Sequence, residues 1–216
     1  MPAPVTLDGR SLSIEDVIAV ARDGANVAIA PRALDAVRAS RRTVERAIAG
    51  GATMYGVTTG FGKLAHVRIP PERARQLQLN LIRSHASGVG DPLSEEAVRA
   101  MMLLRANVLL RGTSGVRPAL PELIVAMLNQ RVHPRVPSQG SVGASGDLAP
   151  LAHLALAMIG EGTDGGAVQA GGLQPIALEA KEGLAFVNGT QAQTGVAALV
   201  VTTPGCCGAR PMRLRR

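Results

Sequence analysis

The chain of 216 residues is 46% hydrophobic but only 1% aromatic, with Tyr55, Phe61 and Phe186 and no tryptophan, so its core must be built from Leu, Val, Ile, Met and Ala, which suits packed helices. Of the formal charge of +7, four arginines (Arg210, Arg213, Arg215, Arg216) sit in an acid-free tail, leaving 19 basic against 16 acidic residues elsewhere, a balance too mild for a nucleic-acid partner. The adjacent Cys206 and Cys207 make neither a disulfide framework nor a metal spacing, and no leader peptide or membrane-length apolar run is read, so a cytoplasmic protein with no membrane partner is expected.

In chain order, Val5-Thr6-Leu7 with Asp8-Gly9 reads as a short strand and turn. Ser13, with Asp16 three residues on, predicts a helix to about Asp23. Residues 27–30 read as a second short strand. Pro31 opens a helix through Ala49 that places Leu34, Val37, Val44 and Ile48 on one side. Arg38, Arg41, Arg42 and Arg46 lie elsewhere on it and are expected to be solvated, with Arg41 and Glu45 spaced for a surface pair. Gly50-Gly51 ends this helix. Three glycines then fall within seven residues of Met54-Tyr55-Gly56-Val57-Thr58-Thr59-Gly60-Phe61-Gly62, a loop that must run close to a neighbour. A phosphate-loop reading of Gly62-Lys63 fails, because Val57 stands where the leading glycine belongs and Leu64 follows the lysine. By residue type alone, Tyr55 is either a structural hydroxyl or a group aimed at a ligand.

The next helix is predicted from Glu72 to about His85. Leu77, Leu81 and His85 fall at i, i+4 and i+8, so the first reading of His85 is a histidine satisfied at a helix end. Ser94 caps a long helix to Arg111 that has Glu95 and Glu96 at its start and almost no polar face, which predicts burial. A loop from Gly112 to Pro118, a helix from about Pro121 to Asn129 and an extended His133-Pro134-Arg135-Val136-Pro137 follow. His133 and His153 lack partners at metal-ligand spacing and are expected to be structural.

The central stretch is Gly140-Ser141-Val142-Gly143-Ala144-Ser145-Gly146-Asp147-Leu148-Ala149-Pro150-Leu151-Ala152-His153. Its second half starts a helix, with Asp147 as cap and Pro150 in the first turn. Its glycine spacing fits no phosphate cradle, and Asp147 stands where a nucleophile elbow needs glycine. Ala144-Ser145-Gly146 instead suits backbone cyclisation. Without a Cβ at Gly146 and with only a methyl at Ala144, an amide nitrogen can reach the carbonyl two residues back. Closure with loss of water makes a five-membered ring, and loss of the Ser145 hydroxyl as a second water leaves an electrophilic methylidene. Beyond Gly160 the chain is glycine-rich (Gly162, Gly165, Gly166, Gly171, Gly172) and reads as an exposed excursion or hairpin. Lys181 and Glu182 read as structural. Asn188-Gly189-Thr190 is formally a glycosylation sequon, with nothing pointing to secretion.

The fourteen residues from Gly140 to His153 resemble the signature of the aromatic amino acid ammonia-lyases, and the likeness extends from about Leu7 to about Val200. It implies a mainly α fold, the N-terminal lyase domain of the fumarase/aspartase-like superfamily, with a few short strands and the central long-helix bundle largely missing. It implies a 4-methylidene-imidazol-5-one made from Ala144, Ser145 and Gly146, with no external cofactor and no metal. Tyr-Gly-Val-Thr-Thr-Gly-Phe-Gly resembles the family's active-site loop, whose tyrosine, here Tyr55, takes part in proton handling. Ser84-His85 resembles the substrate side-chain contact of members acting on histidine, so histidine, deaminated to urocanate and ammonia, is the favoured substrate. Asn188 matches the asparagine beside the prosthetic group and substrate carboxylate. The alternatives are a phenylalanine or tyrosine lyase or aminomutase of the same family, or a non-catalytic helical remnant. Family members are more than twice this long and form homotetramers. Residues 1–200 are therefore expected to be the lyase domain and 201–216 a divergent basic tail left by truncation or a shifted frame, with reduced or no activity in this chain alone.

Overall fold

The computed structural model describes residues 2–142 and 146–203. Its elements are β1 (Val5–Leu7), α1 (Ile14–Ala21), β2 (Val27–Ile29), α2 (Pro31–Ala49), α3 (Ala74–His85), β3 (Val89–Pro92), α4 (Glu95–Leu110), α5 (Ala119–Asn129), β4 (Pro137–Gln139), α6 (Leu148–Met158), α7 (Ala167–Ala170), α8 (Glu182–Val187) and α9 (Gln191–Val201), with single 3-10 turns at Gly62–Leu64 and Pro71–Arg73. The fold is mainly helical, as the near-absence of aromatic residues suggests. Serines start two of the helices. Ser13 Oγ accepts the Asp16 amide at 3.1 Å while the Asp16 carboxylate accepts the Ser13 amide at 2.9 Å, a reciprocal cap on α1. Ser94 Oγ accepts the Ala97 amide at the head of α4.

The strands form two small ribbons. β1 and β2 run parallel, with Val5 opposite Val27 and Leu7 opposite Ile29. β3 and β4 run antiparallel between Val89–Gln139 and Pro92–Pro137. The sequence signals β4 through the extended run before it but not β3, whose Val89-Gly90-Asp91-Pro92 has no alternating pattern and is exposed throughout.

Helix α4 is the axis of the core. It packs against α1, α5 and α9, and Met101, Met102, Leu103, Ala106 and Leu109 are fully buried. Two arginines share this interior, and both end neighbouring helices. The last carbonyls of a helix lack intrahelical partners and carry its negative partial charge. Arg99 donates to Val20 O of α1 at 2.8 and 3.0 Å and to Leu128 O of α5 at 3.2 Å. Arg105 does the same for α8. Burial lowers the pKa of each, to about 10 for Arg105, which leaves both cationic at neutral pH.

Two expectations are corrected. Arg41 is buried rather than solvated: it keeps its pair with Glu45 at 2.8 Å, but its Nη1 reaches inward to Ala180 O at 2.9 Å. The glycine-rich segment after residue 160 forms turns and the short α7, with Val168 fully buried, not a hairpin. The stretch Glu182–Val201 is long and apolar enough to cross a membrane by length and composition. It is broken at residues 188–190 into α8 and α9, and α9 packs on α4.

Candidate active site

The stretch between β4 and α6 carries the Ala-Ser-Gly motif. Ala144 and Ser145 lie outside the described residues; their flanks do not. The Val142 amide donates to Gly146 O at 2.8 Å, and Ser141 Oγ donates to Asp147 Oδ1 at 2.6 Å. These two bonds tie the strand entering the motif to the helix leaving it. Gly146 is buried at φ +75°, a conformation that disfavours any side chain, and the Gln193 amide occupies the space a Cβ would need.

Asp147 holds the N-cap position of α6 yet makes no side-chain bond to that helix. Its carboxylate, fully buried, accepts the Gln193 amide at 3.0 Å instead. That amide lies in the first turn of α9, which has no side-chain cap of its own. The expected cap is therefore present but serves a different helix, because α6 and α9 begin side by side.

His85 ends α3. Its Nδ1 lies 2.9 Å from Leu81 O and 3.1 Å from Ser84 Oγ, and Ser84 Oγ in turn donates to Leu81 O at 2.9 Å. A carbonyl at that distance requires the proton on Nδ1, so in the neutral ring Nε2 is the acceptor. Nε2 makes no hydrogen bond among the described residues. The loop after His85 is pinned by the Gly88 amide donating to His153 Nε2 at 3.2 Å, which needs His153 neutral; burial lowers its pKa accordingly. His85, Ser87, Gln139, Gly140, Val142, Leu148 and Ala149 line an open cleft of about 430 Å³. The end of α3 thus faces both flanks of the motif.

Asn188 closes α8, and its side chain is exposed. Its own carbonyl accepts Arg105 Nη1 at 3.2 Å, and the same guanidinium bonds Gln191 Oε1 at 2.9 Å and Ala185 O while lying 5.7 Å from the centre of the Phe186 ring. Next in the chain, Gly189 O accepts the Asp147 amide at 3.3 Å, which ties the Asn188 turn to the motif's exit. Tyr55 is 56% exposed. Its oxygen accepts the Gly62 amide at 3.0 Å, and its ring meets Phe61 edge-on at 6.2 Å. Tyr55, Ser84 and Asn188 do not line the cleft.

The family model for aromatic amino acid lyases matches residues 12–204. This chain belongs to that family. It is 56% identical over 201 residues to a histidine ammonia-lyase of Geobacillus thermodenitrificans and 54% identical over 206 residues to one of Gloeobacter violaceus, matches that cover 89% and 91% of this chain. Among solved structures it is similar to the tyrosine aminomutase of Streptomyces globisporus, with a TM-score of 0.86 and 38% identity over 92% of this chain and 39% of that one. It is also similar to the histidine ammonia-lyase of Trypanosoma cruzi, with a TM-score of 0.82 and 40% identity over 92% of this chain and 40% of that one. The chain spans about 40% of the length of the curated relatives it matches.

Within this lyase fold, sequence reasoning missed Arg105 and Gln78. Arg105 was findable as a charge inside a helix with no polar face. Gln78 carried no such mark, since a glutamine among leucines on a surface helix is ordinary.

Proposed function

We propose that this chain carries the prosthetic-group-bearing portion of a histidine ammonia-lyase, which converts L-histidine to urocanate and ammonia. The observation that carries it is the shared cleft, in which the histidine ending α3 stands across from both flanks of Ala144-Ser145-Gly146. Relatives named histidine ammonia-lyase at 50% identity and above support the choice of substrate.

The residues present fit a group cyclised from residues 144 to 146. Gly146 already has the left-handed backbone that favours glycine, and its flanks are drawn together by the Val142–Gly146 bond. Once formed, the ring supplies an electrophilic carbon that makes the substrate amine a leaving group. Everything else falls to side chains. His85, protonated at Nδ1, offers Nε2 to the N–H of a substrate imidazole. Asn188 offers an exposed amide on a turn held by Arg105, suited to a carboxylate. Tyr55, once its phenolic proton has passed to solvent, is the base that takes the substrate β-proton, and the Gly62 amide donates to that same oxygen. No external cofactor or metal is needed.

The full activity belongs to a longer, tetrameric protein in this proposal, and its lyase domain runs past residue 200, because α9 continues to Val201 and Thr203 still bonds Arg22. This stretch, about 40% of its relatives' length, is expected to be weak or inactive by itself, because catalytic groups that act as a unit do not work in part. The likeness to tyrosine aminomutases keeps a second substrate class in view, and Ser84-His85 favours histidine over it. Intact-mass measurement and a panel of histidine, phenylalanine and tyrosine test both points. The expected results are a mass lower by two waters and, in a protein extended to the relatives' length, urocanate absorbance from histidine alone. An unmodified mass in both forms overturns the assignment.

A further inference from the structure

We infer that Gln78 is a positioning residue that joins the three segments bearing Tyr55, His85 and Asn188; its relevance to catalysis rests on the function proposed above. Gln78 lies in α3, seven residues before His85, and is fully buried. Both ends of its amide are engaged by backbone. Nε2 donates to Gly56 O at 3.0 Å, one residue after Tyr55. Oε1 accepts the Leu184 amide at 2.9 Å, four residues before Asn188.

Each bond fills a need that its own segment leaves open. Leu184 is in the first turn of α8, where amides have no intrahelical partner, and α8 has no side-chain cap from its own N-cap residue, Lys181. Within the tyrosine loop, the Gly56 amide is used locally, on Thr59 Oγ1, so its carbonyl is left for an outside donor. The loop also lies tight against α8. Gly56 has φ +67°, and a Cβ there would stand 2.7 Å from Leu184 Cδ2 and 2.5 Å from Phe61 Cε1, the ring that Tyr55 meets edge-on. Among the described residues, Tyr55 makes no direct bond to His85 or Asn188, so its placement relative to them passes through this amide. A side chain with one donor and one acceptor face, in this orientation, is the minimum that serves both partners.

The chain contains its own reporter. Tyr55 is the sole tyrosine and tryptophan is absent, so the tyrosine band in near-ultraviolet circular dichroism and the tyrosine fluorescence come from this loop alone. Gln78→Met keeps the length and removes both bonds. It is expected to abolish the Tyr55 circular dichroism band and raise acrylamide quenching while far-ultraviolet dichroism shows the helices retained. Gln78→Glu supplies the decisive comparison. Its neutral carboxyl can donate to Gly56 O and accept from Leu184, whereas the carboxylate can only accept, and burial raises the pKa of such a group. The Tyr55 band of Gln78→Glu should therefore be native in acid and be lost as the pH rises through the raised carboxyl pKa, followed from about pH 5 to about pH 8.5 against the unmodified chain at each pH.

A Tyr55 band unchanged in folded Gln78→Met overturns the inference. So does a Gln78→Glu chain whose band is non-native at about pH 5, where the carboxyl is neutral and can make both bonds, a result that decides the matter even if Gln78→Met fails to fold. Neither readout depends on cyclisation. Loss of the inference thus leaves the lyase proposal standing, and an unmodified mass beside a Gln78-dependent Tyr55 band sinks that proposal alone.

Discussion

Asp147 caps a helix that it does not begin: its carboxylate accepts the Gln193 amide at 3.0 Å across 46 residues of chain. With its second oxygen on the Ser141 hydroxyl, it is the buried joint between the motif's entry, the motif's exit and α9. Asp147→Ala removes the side-chain cap of α9 and the partner of the exposed Ser141 hydroxyl, and is expected to lower stability by about 1 kcal/mol or somewhat more. Urea unfolding followed by far-ultraviolet dichroism measures it. A loss under about 0.5 kcal/mol, the range of ordinary surface changes, would show that Asp147 does not hold these segments together.

Gly146→Ala tests the backbone at the same joint. A side chain at φ +75° is strained by about 1–2 kcal/mol, and its Cβ must also displace the Gln193 amide. Gln193 ends in a flexible side chain that can turn away, so the chain should still fold with a modest drop in stability. Cyclisation should suffer far more than folding. In the form where the native chain shows the mass of two lost waters, Gly146→Ala is expected to keep its unmodified mass.

Acid should weaken the fold through two histidines. His153 Nε2 accepts the Gly88 amide, and His133 Nε2 accepts Arg99 Nη1 at 2.8 Å, so both rings must be neutral. Burial lowers the pKa of each below 6.5, against smaller opposing effects of Asp164 and Glu95. The unfolded chain therefore binds more protons once the pH drops below the ordinary histidine value. Their contribution is complete above about pH 6.5 and is lost progressively as the pH falls to and through the lowered values. Denaturation midpoints at pH 7.5 and 5.5 should differ in that direction. His153→Gln, which keeps an acceptor for Gly88 and cannot titrate, should shrink the difference; an unaltered pH dependence would remove His153 from this account.

Glu182 is fully buried and accepts from Arg117 Nε at 2.9 Å, Arg117 Nη2 at 2.7 Å, and the amides of Arg117 and Glu179. The pair anchors the start of α8, and the bond to Glu182 raises the Arg117 pKa. Glu182→Ala removes the acceptor of two part-buried amides and of Arg117, whose guanidinium keeps Ala177 O and solvent, and should cost about 2 kcal/mol. Glu182→Gln, which can still accept from both amides, should cost less. Equal losses in the two variants would mean that the charge, not the amide bonds, carries the anchoring.

Much of the fold could be read directly. The reciprocal cap of Ser13 and Asp16, the proline opening α2, the glycines closing it and the buried character of α4 all follow from residues within a turn or two of one another. The site was only partly legible. Its motif was plain at Gly140–His153, and His85 was found across the cleft from it, yet the Asp147 carboxylate bonds α9 and not the helix it begins, and Arg41 is buried, not solvated. β3 was invisible because its four residues take strand geometry from β4, not from any pattern of their own.

By itself the sequence determined where α1, α2 and α4 start and stop, since caps and φ preferences are properties of near neighbours. Only the tertiary structure decided who holds whom. Gln78 meets partners 22 and 106 residues away, and Arg105 partners more than 80 away. A buried donor or acceptor must find some partner, but composition and spacing do not say which; that choice is made when the helices pack and bring one orphan backbone group, and not another, within reach.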